Sequence, residues 1–256
     1  MEILVCVKRV PMVGGRIAVT DDARAVDTRQ LGFTVSPHEE CAVEEAVRIT
    51  ERFGGSVTVL TLGVPEASEQ LRDSLSVGAH KAQLLETAGE EWGPVATAAA
   101  IADSVRSTEA ETGTGFDLLL FGNEAADTGD YQVAIRVAHQ LRRPCVSGVK
   151  FLEIDGTTVR AKREHHGGQE VFEVALPAVV SVKEGINLPR YPSLPGRMRA
   201  KKAAVDVSRA VHRPDPLQLV ALAVPVAERR RAEVLGEGEG AIPALVKVLE
   251  EIGVLT

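Results

Sequence analysis

The chain has 256 residues, 45% hydrophobic and 25% charged, the balance of a soluble globular protein long enough to bury a sizeable core without disulfides or a structural metal. With 29 Lys and Arg against 36 Asp and Glu, the net charge of -7 weighs against nucleic acid as a partner for the chain as a whole. Six Phe, two Tyr and one Trp are too few to build a stacking surface for single strands.

Cys6, Cys41 and Cys145 form no Cys-x-x-Cys pair, and each stands among apolar neighbours as a small buried hydrophobe. Neither a zinc nor an iron–sulfur site is readable from them. The opening Met1–Lys8 places an acid at position 2 and then an apolar run cut off by Lys8, the pattern of a first strand and not of a signal peptide. No uncharged apolar run approaches the ~18 residues of a membrane helix. The expectation is an intracellular, cytoplasmic protein without membrane insertion.

In chain order, Ile3–Val7 is a continuous apolar run, as a strand buried on both faces should be. Ser36-Pro37-His38-Glu39 opens a helix, with Ser36 as N-cap, Pro37 in the first turn and Glu39 completing a capping box. Ala42, Val43, Ala46, Val47 and Ile49 then recur at helical spacing until Gly54-Gly55. Ser56–Leu62 is a strand, Pro65–Val77 a helix closed by Gly78, Gln83–Glu86 a short strand and Gly93–Val105 an Ala-rich helix. Asp117–Phe121 is another apolar strand, and a helix is expected from about Asp130 to Leu141. Such alternation predicts an α/β fold with a doubly wound, mostly parallel sheet. Ligands of such sheets bind beyond the carboxyl ends of the strands, so the loops after Val7, Leu62 and Phe121 are the places for chemistry.

From Val149 the period changes. Phe151–Ile154, the Asp155-Gly156 turn, Thr157–Arg163, a second turn at His166-Gly167-Gly168, Gln169–Leu176 and Ala178–Val182 together read as an antiparallel hairpin extension of the sheet. Beyond Asp206 the pattern thins. Pro214, Pro216 and Pro225 punctuate an apolar stretch, Ala227–Val234 is rich in arginine, and Ala241–Ile252 is a short amphipathic helix after a Gly/Glu spacer. Residues 207–240 look poorly suited to pack on their own domain and read as an arm that grips another polypeptide.

The loop Gly122–Ala134 between an apolar strand and a helix is the main candidate site. The helix start offers free N–H groups and a positive dipole end to an anion, worth ~0.3–1 kcal/mol. Gly122 and Gly129 allow close backbone approach, and Gln132 can donate to a phosphate or a ring edge; the plainer reading makes Thr128 or Asp130 a cap and the glycines turns. Neither a P-loop nor a dinucleotide fingerprint is present. No hydrolytic constellation stands out, and the His165-His166 pair belongs to a hairpin turn. His38 stands near the ligand end of the sheet, although a solvated surface position is the plainer reading. A second candidate is Gly185–Val205, which carries Arg190, Arg197, Arg199, Lys201 and Lys202 and no acid. Rigid prolines flank Tyr191, Leu194 and Met198 there, so a docking loop for an acidic protein surface is more plausible than a solvated face.

Several runs resemble one family. Val7-Lys8-Arg9-Val10-Pro11, Ala42-Val43-Glu44-Glu45-Ala46 and Gly122…Asp127…Gln132-Val133 are similar to segments of the electron transfer flavoprotein β subunit. Asn187–Lys202 resembles that family's N-x-P-R-Y-x-x-L-P-x-x-M-x-A-x-K signature, and the similarity extends to Leu249–Gly253. The resemblance implies an adenine-nucleotide α-hydrolase-like domain over 1–206, with a recognition loop at 185–202, and an arm with a short helix over 207–256 packed on an α subunit. It implies an electron carrier without bond-making chemistry of its own. The α subunit would hold most of an FAD fed by acyl-CoA-type dehydrogenases of fatty acid oxidation, with electrons passing toward the respiratory chain. By position, AMP would contact Cys6, Ser36, Pro37, His38, Glu39, Leu62, Asp127, Thr128, Gly129, Asp130, Tyr131, Gln132, Val133, Ala134 and Ala138. The docking residues would be Arg190, Tyr191, Leu194, Pro195, Met198, Arg199 and Lys202, with Leu194 as the anchor. AMP-binding members commonly read Asn-Gln-Thr-Gly where this chain has Tyr131-Gln132-Val133-Ala134, which removes a hydroxyl and adds bulk. Two alternatives therefore stand beside AMP: a second FAD in this pocket, as in flavin-bifurcating members that oxidise NADH, and a stand-alone adenine-nucleotide-binding module.

Overall fold

The computed structural model describes the chain except for Val13, Gly15, Arg16, Glu91, Asp215, Leu217, residues 226–231 and Thr256. The first half holds β1 (Glu2–Cys6), β2 (Val10–Pro11), β3 (Phe33–Thr34), α1 (Pro37–Phe53), β4 (Ser56–Gly63), α2 (Ser68–Ser76), β5 (Lys81–Glu86), α3 (Pro94–Thr112), β6 (Leu118–Gly122) and α4 (Val133–Leu141). The second half holds β7 (Cys145–Val149), β8 (Phe151–Asp155), β9 (Thr158–His165), β10 (Gly168–Ala175), β11 (Ala178–Val182), α5 (Leu194–Lys202), β12 (Asp206–Arg209) and α6 (Ile242–Glu251).

Seven strands form one parallel sheet in the order β12-β5-β4-β1-β6-β11-β7. Continuous apolar strands in its centre are possible because helices cover both faces. Alternate residues of β1 therefore feed two cores. Ile3 and Val5 join Ala46 and Val47 of α1 and Leu71 of α2 on one face, while Leu4 and Cys6 join Ile101 of α3 and Val137 of α4 on the other. The capping box at Ser36 and Glu39 forms as the residues predict. Pro65–Ala67 is a 3-10 turn leading into α2, and α3 runs past Val105 to Thr112 because no breaker precedes Gly113.

Four features differ from the sequence expectation. Ala178–Val182 is not part of the antiparallel extension; as β11 it lies parallel between β6 and β7. Its uninterrupted Ala-Val-Val-Ser-Val run is fully buried, whereas β10 alternates between exposed and half-buried residues. The antiparallel part is a separate sheet, β10-β9-β8, whose Leu152, Ile154, Val159 and Ala161 close the α1-side core. Its second turn takes positive φ at His166 (45°) and Gly167 (79°), as a two-residue hairpin turn requires. The outer strand β7 escaped detection because Ser147 and Gly148 interrupt its apolar pattern.

The third difference is α5, a helix inside the stretch read as a loop. Ser193 caps it by accepting from Gly196 N at 3.1 Å, and Arg199, Lys201 and Lys202 sit at its negative dipole end. Only Gly196 and Ala200 are buried, so no apolar periodicity betrays it. The fourth is β12, which pairs with β5 through Asp206–Arg209 although all four residues are exposed. Backbone bonds hold this edge, and the start of the expected arm therefore rests on the domain. Arg213 also pairs with Asp103 at 2.6 Å, and Leu222 N donates to Ala23 O at 2.7 Å. Most of the arginine-rich run at 227–234 lies outside the described residues. The final helix, α6, has no buried residue, and Ile242, Leu245 and Val246 stand exposed on it. No helix among the described residues is long and apolar enough to cross a membrane.

Gly196 is where α5 meets α2, since a Cβ there would stand 2.3 Å from the carbonyl oxygen of Ser76. Gly196→Ala should lower stability by about 1–3 kcal/mol and reduce Tm in thermal unfolding. Gly240→Ala, which meets nothing within 4 Å, is the control and should leave Tm unchanged.

Candidate functional site

The chain passes from β1 to β4 and β5 on one side and later to β6 on the other, so strand order reverses between β1 and β6. Loops leaving neighbouring strands at such a point diverge to opposite faces and leave a crevice. Cys6 pairs with Phe121 at its floor. Gly122, the last residue of β6, admits the start of α1: a Cβ there would lie 2.7 Å from Glu39 Cγ and 3.2 Å from His38 Cβ.

The rim is tied by charge. Lys8 Nζ donates to Asp127 Oδ1 at 2.8 Å, joining the loop after β1 to the loop after β6. Lys8 N at 3.0 Å and Ser36 N at 3.4 Å both donate to Glu39 Oε2, which is buried beneath that bridge. Burial pushes the Glu39 carboxyl up to about 8, against the lowering pull of these two amides and of the Lys8 charge. At neutral pH the site thus keeps a largely uncharged acid where an anion would otherwise meet a carboxylate.

His38 is not a solvated surface residue; its side chain is 17% exposed. Its Nε2 stands 3.8 Å from Glu124 Oε1, and the other Glu124 oxygen accepts from the Tyr131 hydroxyl. Its Nδ1 is buried and has no hydrogen-bond partner among the described residues. A buried orphan of this kind at a crevice calls for a ligand or water.

The start of α4 is three residues later than expected because Asp130 Oδ1 accepts from Gln132 N at 2.9 Å and turns the chain first. Gln132 Oε1 accepts from Arg136 Nε at 3.0 Å and Nη2 at 2.6 Å, so its amide oxygen is engaged and its NH2 is the end left to donate. Thr128 and Gly129 are exposed on the loop, and Pro37 is exposed at the first turn of α1. Cys6, Ala134 and Ala138 lie below, buried in one apolar cluster with Phe121, and Leu62 and Val133 pack against that cluster. The added methyl of Ala134 is thus absorbed in the core. Burial, then the nearby Glu39, push the Cys6 thiol far above its ordinary value, so it stays protonated. Beside the rim, Asn123, Tyr131, Ser147, Arg163, His165 and Lys183 line a cleft of about 320 Å³.

The second candidate surface is carried by α1 and α2. Leu188 is 83%, Tyr191 95% and Leu194 75% exposed, with Met198 and Pro195 also outside. Lys202 is exposed at the edge, while Arg199 turns one nitrogen to Leu75 O at 3.3 Å. Arg190 points inward to Glu44 and Glu51. Sequence reasoning missed Glu44, Glu51 and Arg72 as the framework here. Arg72 Nη1 donates to Ala200 O at 2.9 Å and Ala203 O at 3.1 Å. The one available signal was Glu44, an acid on the apolar stripe of an amphipathic helix.

A family model described as "Electron transfer flavoprotein domain" matches residues 24–212. A protein named electron transfer flavoprotein subunit beta from Bacillus subtilis (strain 168) is 38% identical over 176 residues, covering 68% of this chain and 66% of that one. Proteins of the same name from Syntrophomonas wolfei (32% over 242 residues, 93% and 92%) and Thermoanaerobacterium thermosaccharolyticum (30% over 261 residues, 97% and 98%) align nearly end to end. The chain belongs to the electron transfer flavoprotein family, among its β subunits.

The buried acid gives a test of the site. Glu39 titrates near 4.5 when unfolded and at about 8 when folded. The folded state therefore keeps a proton that the unfolded chain has already released between these values. The stability this lends is whole below pH 4.5 and is lost as pH rises through 8. Glu39→Gln, which retains an oxygen for both amides, should flatten the pH dependence of urea midpoints across that window and leave the fold intact.

Proposed function

We propose that this chain works as the β subunit of a heterodimeric electron transfer flavoprotein, pairing with an α subunit that holds most of an FAD. FAD, when bound, supplies the one- and two-electron chemistry. This chain's residues shield it, hold a structural AMP in the crevice between β1 and β6, and dock the dehydrogenase that delivers electrons. The observation that carries the docking role is the exposed row Leu188, Tyr191, Leu194 and Met198 within a basic rim, on a chain whose net charge is -7. An apolar anchor inside a cationic border suits an acidic partner surface and quick release.

The crevice residues fit an adenine nucleotide. The first turn of α4 supplies free N–H groups, the His38 Nδ1 supplies a polar contact for a heterocycle, and Lys8 neutralises the Asp127 carboxylate on the rim. A largely uncharged Glu39 removes repulsion toward phosphate. The exposed apolar face of α6 and the arm before it suit a grip on the α subunit. Val133 in place of a hydroxyl supports a second reading, a flavin-bifurcating β subunit with its own FAD in this crevice.

Co-expression with an α subunit, followed by mass spectrometry of the nucleotides released on denaturation, separates these readings. One FAD and one AMP per heterodimer is the expected result, two FAD would establish the second reading, and a chain that stays monomeric would overturn both. In the assembled complex, Leu194→Ala should raise KM for the donating dehydrogenase by about tenfold or more with kcat little changed.

A further inference from the structure

The segment from Asn187 to Ser193 has no regular secondary structure, yet Asn187 and Arg190 both turn inward onto α1. Asn187 Nδ2 donates to Cys41 O at 3.0 Å and to Glu45 Oε2 at 2.9 Å. Arg48 Nη2 donates to Leu188 O at 3.4 Å. Arg190 contributes most. Its backbone N and its Nε donate to Glu44 Oε2 at 3.1 and 2.9 Å, and its Nη2 donates to Glu44 Oε1 at 3.2 Å. Its Nη1 and Nη2 reach the two oxygens of Glu51 at 2.6 and 2.9 Å. One guanidinium therefore spans two carboxylates a helix-turn pair apart on α1, which only a planar five-donor fork can do.

The surroundings make this clamp strong. The Glu44 side chain is 3% exposed, and Arg48 Nε also donates to it at 2.6 Å. Burial alone would raise the Glu44 carboxyl, but the bonds from Arg190 and Arg48 outweigh it and hold that group below its ordinary value. Immediately beside this inward fork, Leu188 and Tyr191 point out as the most exposed large apolar side chains of the segment.

We propose that Arg190 is a positioning residue, a latch on Glu44 and Glu51 that presets the segment bearing Leu188, Tyr191 and Leu194 before a partner arrives, and not itself a contact for that partner. The proposal rests on the docking role proposed above. A segment already in its bound shape avoids the ordering cost at encounter, and releasing the latch should cost about 10–100-fold in apparent affinity. The gain comes from shape and not from the Arg190 charge, which is consumed internally.

The test uses the assembled αβ complex, a dehydrogenase that reduces the wild-type complex, and hydrogen exchange at the amides of residue 190 and Gly196, which donate to Glu44 and to Ser193. Arg190→Ala should raise KM by about 10–100-fold with kcat held, and should speed exchange at both amides. Arg190→Lys, a point charge without the fork, should recover only part of each effect. Glu51→Gln removes the exposed half of the clamp without stranding a buried charge, so it decides the matter should Arg190→Ala fail to fold; a smaller rise in KM with faster exchange is expected. Raised KM with unchanged exchange would make Arg190 a direct contact and overturn the latch. Unchanged KM in Arg190→Ala while Leu194→Ala raises it would overturn the latch and leave the docking role standing. Unchanged KM in Leu194→Ala would instead sink the docking role, and with it the proposal.

Discussion

Burial of β1 on both faces, between β4 and β6 in a parallel sheet, is the constraint from which the candidate site follows. Parallel neighbours force all three carboxyl ends to the same edge, and coverage of both faces forces the intervening helices to opposite sides. The loops after β1 and β6 must then diverge, and the start of α1 can enter only because Gly122 has no side chain. Glu39 is buried by the same approach, and the Lys8–Asp127 pair closes what the helices leave open. Functional groups here are placed by topology first and by hydrogen bonds second.

The second candidate surface is organised on a different principle. Its helix, α5, buries only Gly196 and Ala200, far too little to fold by apolar contact. Polar ties do the work: Arg72 on the carbonyls of Ala200 and Ala203, Asn187 on Cys41 and Glu45, and Arg190 on Glu44 and Glu51. Apolar side chains are thereby left free to face outward. A surface held by apolar packing would have had to hide those same side chains.

The central strands and α1 were legible in the sequence because each local signal agreed with its environment. Ile3–Val7 is apolar throughout and buried on both faces, and Ser36 with Glu39 caps the helix that they announce. Two of the misread elements share one physical cause. The strand β12 and the helix α5 are stabilised by backbone and long-range polar contacts, which leave no periodicity behind, and β7 is short and interrupted by Gly148. Assigning β11 to the hairpins followed chain order, whereas its unbroken apolar composition belonged with β1 and β6. At the site, Ser36 to Glu39 and Asp127 to Gln132 could be found from caps and glycines. The pairing of Lys8 with Asp127, or of Arg190 with Glu44, joins residues too far apart in sequence for any local pattern to show.

The placement of β11 and β12 has an evolutionary consequence. The chain between them must travel from the sixth strand position to the first, five spacings or about 24 Å at ~4.8 Å each, and both ends are fixed by sheet ladders. Surface connections ordinarily accommodate insertions and deletions. This one, residues 183–205, has far more chain than that distance needs at about 3.4 Å per residue, and its course is held instead by ties to Cys41, Glu44 and Arg72. Length can change between those ties, whereas an insertion between Asn187 and Arg190 would pull one of them out of register, so that stretch is freer in its outward side chains than in its length.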